Sequence, residues 1–198
     1  MKGTLLILLF FVLGLIFSWL GWLPAFIVEN DYSTYALYVL MFLVGISVGA
    51  DTKAFQIIKK VRLRILLVPL TTIIGTAIGM LVIYPFLPMM DFIDTQAVGS
   101  GYGYYSLSSI LIAEMRTETL GVIALLANVI REILTLVFTP LLAKTGKLSP
   151  IVAAGATSMD TTLPVITKFV GKDYAVISVF HGTVLTILVP VIVTLLLS

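Results

Sequence analysis

The chain has no cysteine and only one histidine among its 198 residues. Without cysteine, neither a disulfide nor a thiolate metal site can form. The single histidine and the scattered carboxylates give no metal-ligand spacing such as HExxH, so we expect no metal site and no cofactor. The GxSG and GxGD motifs of intramembrane proteases are also absent from the sequence. We therefore expect a protein that is not an enzyme and has no catalytic residue.

Charged residues are scarce as well. They make up 11% of the chain, whereas hydrophobic residues make up 60%. This balance is typical of membrane proteins that cross the bilayer several times. No stretch has the composition of a soluble domain, so residues 1–198 are predicted to form a single integral membrane domain. The net charge of +2 gives no indication of nucleic-acid binding.

Five segments are long enough to cross a bilayer, which needs about 20 mostly apolar residues. They are residues 4–21, 33–49, 63–87, 120–142 and 174–197. Pro69 and Pro85 predict kinks or a shifted start in the third segment. The first segment also resembles a signal peptide, but no A-x-A-like cleavage site follows it. Trp19 and Trp22 at its end fit a membrane interface, which favours a retained first helix.

The charges of the loops are segregated by sign. The basic residues of loop 50–64 are Lys53, Lys59, Lys60, Arg62 and Arg64, and the acidic residues of loops 22–32 and 88–98 are Glu29, Asp31, Asp91 and Asp94. Cytoplasmic loops of membrane proteins carry an excess of lysine and arginine. We therefore expect the N-terminus and loop 50–64 in the cytoplasm, and the two acidic loops outside.

Two further apolar stretches are too short and too broken to be ordinary spans. Residues 99–109 (GSGYGYYSLSS) and residues 155–164 (GATSMDTTLP) both concentrate glycine and hydroxyl side chains. Glycine interrupts a helix, and serine or threonine can satisfy the freed backbone groups. Such backbone is tolerated at membrane depth only inside protein or beside a cavity. A pair of interrupted segments in opposed orientation is a recurrent sign of a transporter binding site.

The basic residues that follow these stretches predict how the stretches enter the membrane. Suppose that the first segment enters and leaves from outside and the second from inside. The cytoplasmic side then holds all four lysines that follow the stretches, which are Lys144, Lys147, Lys168 and Lys172. The fold class expected is an all-α polytopic membrane protein with about five spanning helices and two re-entrant or broken segments of opposite entry. The C-terminus is then outside. Seven full crossings are the alternative.

Three polar residues, Asn128, Arg131 and Glu132, lie in the middle of the fourth span. A charged group there costs roughly 2.5–3.5 kcal/mol on insertion scales. Asn128 and Glu132 share one helical face with Thr135 and Thr139, and such a stripe normally faces protein or a watery path. We expect Glu132 to bind a cation or a proton, with a structural ion pair as the alternative. Arg131 either takes part in binding or anchors the broken segments by donating to their carbonyls.

The two broken segments supply the other candidates for a substrate or proton site. These are Asp160 with Thr157, Ser158 and Thr161 in the second segment, and Tyr104, Ser108 and Ser109 in the first. Oxygens around Asp160 suit a cation or an ammonium group, and the alternative is an N-cap of a helix starting near Thr161. A half-helix starting near Tyr104 would direct its positive end at a carboxylate. His181 is a candidate proton relay or a packed, hydrogen-bonded histidine.

The polar strings at 99–109, 128–132 and 155–164, together with His181-Gly182, closely resemble the bacterial LysO-type lysine exporter family. The strings occur in the family's order. The resemblance implies an inner-membrane secondary transporter that exports L-lysine and toxic lysine analogues, in exchange for protons. It also implies that Glu132 is one of the family's intramembrane acidic residues. The alternatives are a cation/proton antiporter and a membrane subunit without an organic substrate.

The resemblance covers the C-terminal two-thirds of the longer family members. Those members have further spanning helices, with a second intramembrane carboxylate, before the part that matches. We therefore expect a small hydrophobic partner subunit that supplies an intramembrane acidic residue, or a homo-oligomer.

Overall fold

The computed structural model describes residues 2–22, residues 63–198 and the single positions 24, 32, 35, 39, 42 and 46. Apart from a few of these positions, the predicted second span at 33–49 and its neighbouring loops lie outside the described residues. The described part of the chain is helical and has no β-strand. The expected all-α class is confirmed.

Among the described residues, four long helices form at predicted spans. They are α1 (Lys2–Trp19), α2 (Leu67–Ile83), α5 (Glu118–Thr145) and α8 (Ala175–Leu197). In the described part of the chain, three stretches have the length and apolarity to cross a membrane, and these are Leu67–Phe86, Glu118–Thr145 and Lys172–Leu197. They correspond to the third, fourth and fifth predicted spans.

The ends of these helices follow from local sequence. Helix α2 begins after a 3-10 turn, so that Pro69 lies in the first helical turn. Its missing N–H removes no intrahelical hydrogen bond there, and this is the shifted start that the proline predicts. Thr117 caps α5, because its side chain accepts a hydrogen bond of 3.2 Å from the Leu120 amide, as is usual for an N-cap threonine. Gly146 follows the last residue of α5.

The first broken segment folds back on itself. It consists of α3 (Phe92–Gly99) and α4 (Tyr105–Met115), joined by residues 100–104. Asp94 lies in the first turn of α3, and Arg116 follows the end of α4. Their side chains form an ion pair of 3.1 Å. The two ends of the segment therefore lie together, beside the start of α5.

The second broken segment is also folded back. It consists of α6 (Ser149–Ala154), a 3-10 turn (Gly155–Met159) and α7 (Leu163–Val170). The Lys147 ammonium group before α6 lies 5.5 Å from the centre of the Tyr174 ring, which follows α7. Both ends of this segment therefore lie beside the end of α5.

The two ends of each broken segment lie together, and we call this place the base of the segment. Helix α5 separates the bases of the two segments. It is one of the long spans and runs from Glu118 to Thr145. At a rise of about 1.5 Å per residue, a helix of this size is roughly 40 Å long. The first segment is based at the start of this helix and the second at its end, so they enter the fold from opposite ends. A segment that crossed fully would have its own two ends at opposite ends of α5. Re-entry into a bilayer stays a prediction that this geometry supports.

Labelling of single cysteines tests the arrangement in cells, because the chain has no cysteine of its own. We expect D91C and E118C to react with an impermeant maleimide on intact cells, since both sites lie at the base of the first segment. K144C and K172C, at the base of the second segment, should react only after lysis. Reaction of K144C on intact cells would contradict both the orientation and the opposed entry.

Candidate functional site

The two broken segments meet where their helices are interrupted. The Ala156 amide donates a hydrogen bond of 2.8 Å to the Tyr102 carbonyl oxygen. Gly155 and Gly103 have φ values of +66° and +92°, which favour glycine. A Cβ on Gly155 would overlap the Tyr102 carbonyl, and one on Gly103 would lie 3.0 Å from the Ala154 oxygen. The backbones therefore touch because these positions lack side chains. We call this contact the crossing.

Asn128 on α5 holds the first segment at the crossing. Its side-chain oxygen accepts a hydrogen bond of 2.7 Å from the Gly103 amide, and its side-chain nitrogen donates one of 2.8 Å to the Ala124 carbonyl. A Cβ on Gly101 would overlap that nitrogen. The buried Asn128 thus satisfies a backbone donor that the interruption leaves without a helical partner.

Arg131 on α5 holds the second segment. Its Nε donates to the Ala153 carbonyl at 2.9 Å, and a terminal nitrogen donates to the Val152 carbonyl at 3.3 Å. These carbonyls belong to the last turn of α6, which leaves them without intrahelical donors. The other terminal nitrogen donates to Thr76 Oγ1 on α2 at 3.3 Å. This is the geometry expected of Arg131 as an anchor for broken backbone.

The polar stripe of α5 faces the protein interior, as its helical spacing predicts. Asn128, Glu132, Thr135 and Thr139 are each at most 3% exposed, and Glu132 is 1% exposed. The opposite side of the helix is apolar and exposed, with Val137 at 63%. Glu132 therefore places a carboxylate inside the fold, one residue from the arginine that anchors the second segment.

The hydroxyl groups of the first segment bond within α4. This helix starts at Tyr105, close to the predicted start near Tyr104. Ser108 donates to the Tyr104 carbonyl at 2.8 Å, and Ser109 donates to the Tyr105 carbonyl at 2.5 Å. Both serines thus reinforce the start of the half-helix. The positive end of α4 points at the crossing, since the residues before it belong to the interruption.

Asp160 lies exposed just after the 3-10 turn of the second segment. One carboxylate oxygen accepts from the Thr161 amide at 2.5 Å and lies 3.3 Å from the Thr161 hydroxyl. Helix α7 begins at Leu163, and its N-cap position is Thr162. The interpretation of Asp160 as an N-cap is therefore wrong.

Thr157 and Ser158 lie buried inside the 3-10 turn. Thr157 donates to the Ala154 carbonyl at 2.9 Å. Ser158 Oγ lies 2.9 Å from Nδ1 of His181, and Thr72 Oγ1 on α2 lies 2.8 Å from Nε2 of the same ring. His181 is fully buried and hydrogen-bonded on both sides. Gly182, the next residue, lets α8 approach the turn, because a Cβ there would lie 2.6 Å from the Ala156 oxygen.

Two threonines of α2 take part in the site and were not predicted from the sequence. Thr72 contacts His181, and Thr76 accepts from Arg131. Their spacing puts both on one face of the helix. That spacing is visible in the sequence, but hydroxyls in an apolar helix commonly bond to the preceding turn, as Thr71 does with the Val68 carbonyl at 2.7 Å. Spacing alone thus does not predict the tertiary contacts.

The spanning helices and the crossing define the chain as an α-helical membrane protein with the discontinuous helices that are typical of secondary transporters. The family model described as lysine exporter LysO matches residues 8–197. The chain therefore belongs to the LysO lysine exporter family, which is a family of exporters and not of enzymes.

Two relatives agree with this assignment. The lysine exporter LysO of Escherichia coli K12 is 32% identical over 164 residues, which are 83% of this chain and 54% of the relative. The chain thus spans about half the length of that protein. A Haemophilus influenzae protein named "Putative lysine exporter" is 31% identical over 186 residues, which are 91% of each chain. No solved structure matches the chain.

A pair of glycine substitutions tests the crossing. We expect G155A to lower the free energy of unfolding by about 2–4 kcal/mol, because the new Cβ meets the Tyr102 carbonyl and the positive φ is strained. The matched control is G75A on α2, where a Cβ meets nothing within 4 Å. This control should be neutral or stabilising by up to about 1 kcal/mol, because alanine favours helix. Thermal unfolding in detergent measures both. Equal stability of the two variants would contradict the crossing.

Proposed function

We propose that the chain is a secondary transporter of the bacterial inner membrane that exports L-lysine and lysine analogues in exchange for protons. The observation that carries the proposal is the crossing of two folded-back segments beside the buried polar face of α5, which includes Glu132. Irregular backbone that meets inside a membrane protein is the usual setting of a transporter binding site. The names of the family and of both relatives support lysine as the exported solute.

We propose that two carboxylates and a helix end near the crossing bind the charged groups of lysine. Lysine carries two ammonium groups and one carboxylate. We assign the ammonium groups to Glu132 and Asp160, and the carboxylate to the positive end of α4 at Tyr105. Among the described residues, Glu132 is buried and Asp160 is exposed, so the two carboxylates differ in their surroundings.

The burial of Glu132 supports the proposed exchange for protons. A carboxylate inside a membrane protein is costly to leave charged unless a cation neutralises it. A proton and a substrate ammonium group both neutralise it, and they compete for the same oxygens. Binding of one therefore favours release of the other, which is the physical basis of antiport.

The orientation and the partners are part of the proposal. The N-terminus lies in the cytoplasm and the C-terminus outside, since this arrangement keeps the basic residues of 144–172 in the cytoplasm. A small hydrophobic subunit, or a second copy of the chain, supplies a further acidic residue. The chain covers 54% of the Escherichia coli relative and 91% of the Haemophilus influenzae relative.

Lysine counterflow tests the function and the role of Glu132 together. Proteoliposomes preloaded with unlabelled L-lysine should take up labelled lysine faster than unloaded vesicles. We expect E132Q to lower the rate about ten- to hundred-fold, as loss of a charge-assisted contact predicts, while the amount of folded protein stays unchanged. The control is E118Q, which makes the same chemical change at the exposed start of α5 and should retain the wild-type rate.

The outcomes separate the alternatives. If loaded vesicles show no lysine uptake while a pulse of Na⁺ or K⁺ moves protons, the chain is a cation/proton antiporter. If E132Q shows the wild-type counterflow rate, Glu132 does not bind lysine. A loss of folded protein in E132Q but not in E118Q would favour the structural ion pair.

A further inference from the structure

His181 is the only histidine of the chain, and it joins three parts of the fold. Its side chain is fully buried on α8. Nε2 lies 2.8 Å from Thr72 Oγ1 on α2, and Nδ1 lies 2.9 Å from Ser158 Oγ in the second segment. Both partners are hydroxyls, which can donate or accept. The other contacts of each hydroxyl therefore determine the direction of its hydrogen bond to the ring.

The contacts of Ser158 define the direction on the Nδ1 side. Ser158 Oγ lies 2.9 Å from the carbonyl oxygen of Ser178. A carbonyl oxygen only accepts, so the one hydrogen of the Ser158 hydroxyl is donated to it. The same hydroxyl must then accept from His181, and Nδ1 carries the hydrogen.

The Nε2 side follows from the chemistry of the ring. A buried imidazole between two hydroxyls is best satisfied uncharged, because a buried charge without a counter-charge in contact is costly. A neutral ring with hydrogen on Nδ1 leaves Nε2 as an acceptor, so Thr72 donates to it. The other acceptors near Thr72, the Val68 and Val152 carbonyls, are both 3.4 Å away. Hydroxyl donors typically lie closer to their acceptors than that.

We infer that Thr72 is a positioning residue that donates to Nε2 of His181 in its Nδ1–H tautomer and, through the ring, holds Ser158 of the second segment. The chain of donors runs from Thr72 to His181, to Ser158 and to the Ser178 carbonyl. Ser158 lies two residues from Ala156, whose amide forms the crossing. The effect of Thr72 on lysine export rests on the proposed function, whereas the tautomer does not.

Thr71 is a matched control within the same helix. It is exposed, and its hydroxyl donates to the Val68 carbonyl of its own helix at 2.7 Å. T71V and T72V both replace a hydroxyl by a methyl group of similar size. T72S removes the methyl group of Thr72 but keeps the donor.

Nitrogen NMR of the protein labelled with 15N-histidine tests the tautomer, because one histidine gives one pair of ring signals. In the wild-type protein we expect a one-bond N–H coupling at Nδ1 and none at Nε2. In T72V, the Nε2 signal should move to the position of an imidazole nitrogen that accepts no hydrogen bond. T71V and T72S should retain the wild-type signals. A coupling at Nε2 of the wild-type protein would overturn the inference without the need for any variant.

Lysine counterflow tests the positioning role. We expect T72V to lower the rate about two- to ten-fold, as loss of one net hydrogen bond predicts, and T72S and T71V to retain it. If T72V changes the Nε2 signal and leaves counterflow unchanged, the positioning role is wrong. If the wild-type protein shows no counterflow, the proposed function fails, and the NMR signals alone decide the assignment of Thr72.

Discussion

The hydrogen bond between the Ala156 amide and the Tyr102 carbonyl is the contact on which the rest of the site depends. Interrupting a helix exposes backbone donors and acceptors, and a bilayer offers no water to satisfy them. Each segment here supplies a partner to the other. The contact needs glycine at positions 103 and 155, because side chains there would hold the two backbones apart.

Side chains of the spanning helices bond to backbone groups that the two segments do not satisfy themselves. Asn128 accepts from the first segment, and Arg131 donates to the second. His181 contacts the second segment from α8. On α2, Thr72 contacts His181 and Thr76 contacts Arg131. Most polar residues at the crossing thus act on backbone or on one another. The carboxylates of Glu132 and Asp160 are the groups that we assign to the substrate.

Much of this arrangement could be predicted from the sequence. The apolar runs predict the third to fifth spans, and the spacing of Asn128 and Glu132 predicts a stripe that faces protein. The glycine and hydroxyl content of 99–109 and 155–164 predicts where the helices break. These features are local, because they depend on the composition of a segment or on its helical period.

The remainder depends on which distant segments meet. No local pattern shows that the Tyr102 carbonyl faces the Ala156 amide, or that Thr72 and Thr76 bond to side chains of other helices. For Asp160, a local pattern suggested a role as N-cap that the structure does not show. Its local preference for an N-cap is real, but Thr162 lies nearer the start of α7 and takes that position.

Solid-state NMR of the protein in lipid bilayers tests the crossing most directly. With tyrosine labelled at the carbonyl carbon and alanine at nitrogen, the bonded pairs Tyr35–Ala36 and Tyr174–Ala175 give two strong dipolar couplings as internal controls. We expect a third, weaker coupling between Tyr102 and Ala156, whose signals shift when L-lysine is added. Detection of the two bonded pairs alone would contradict the crossing.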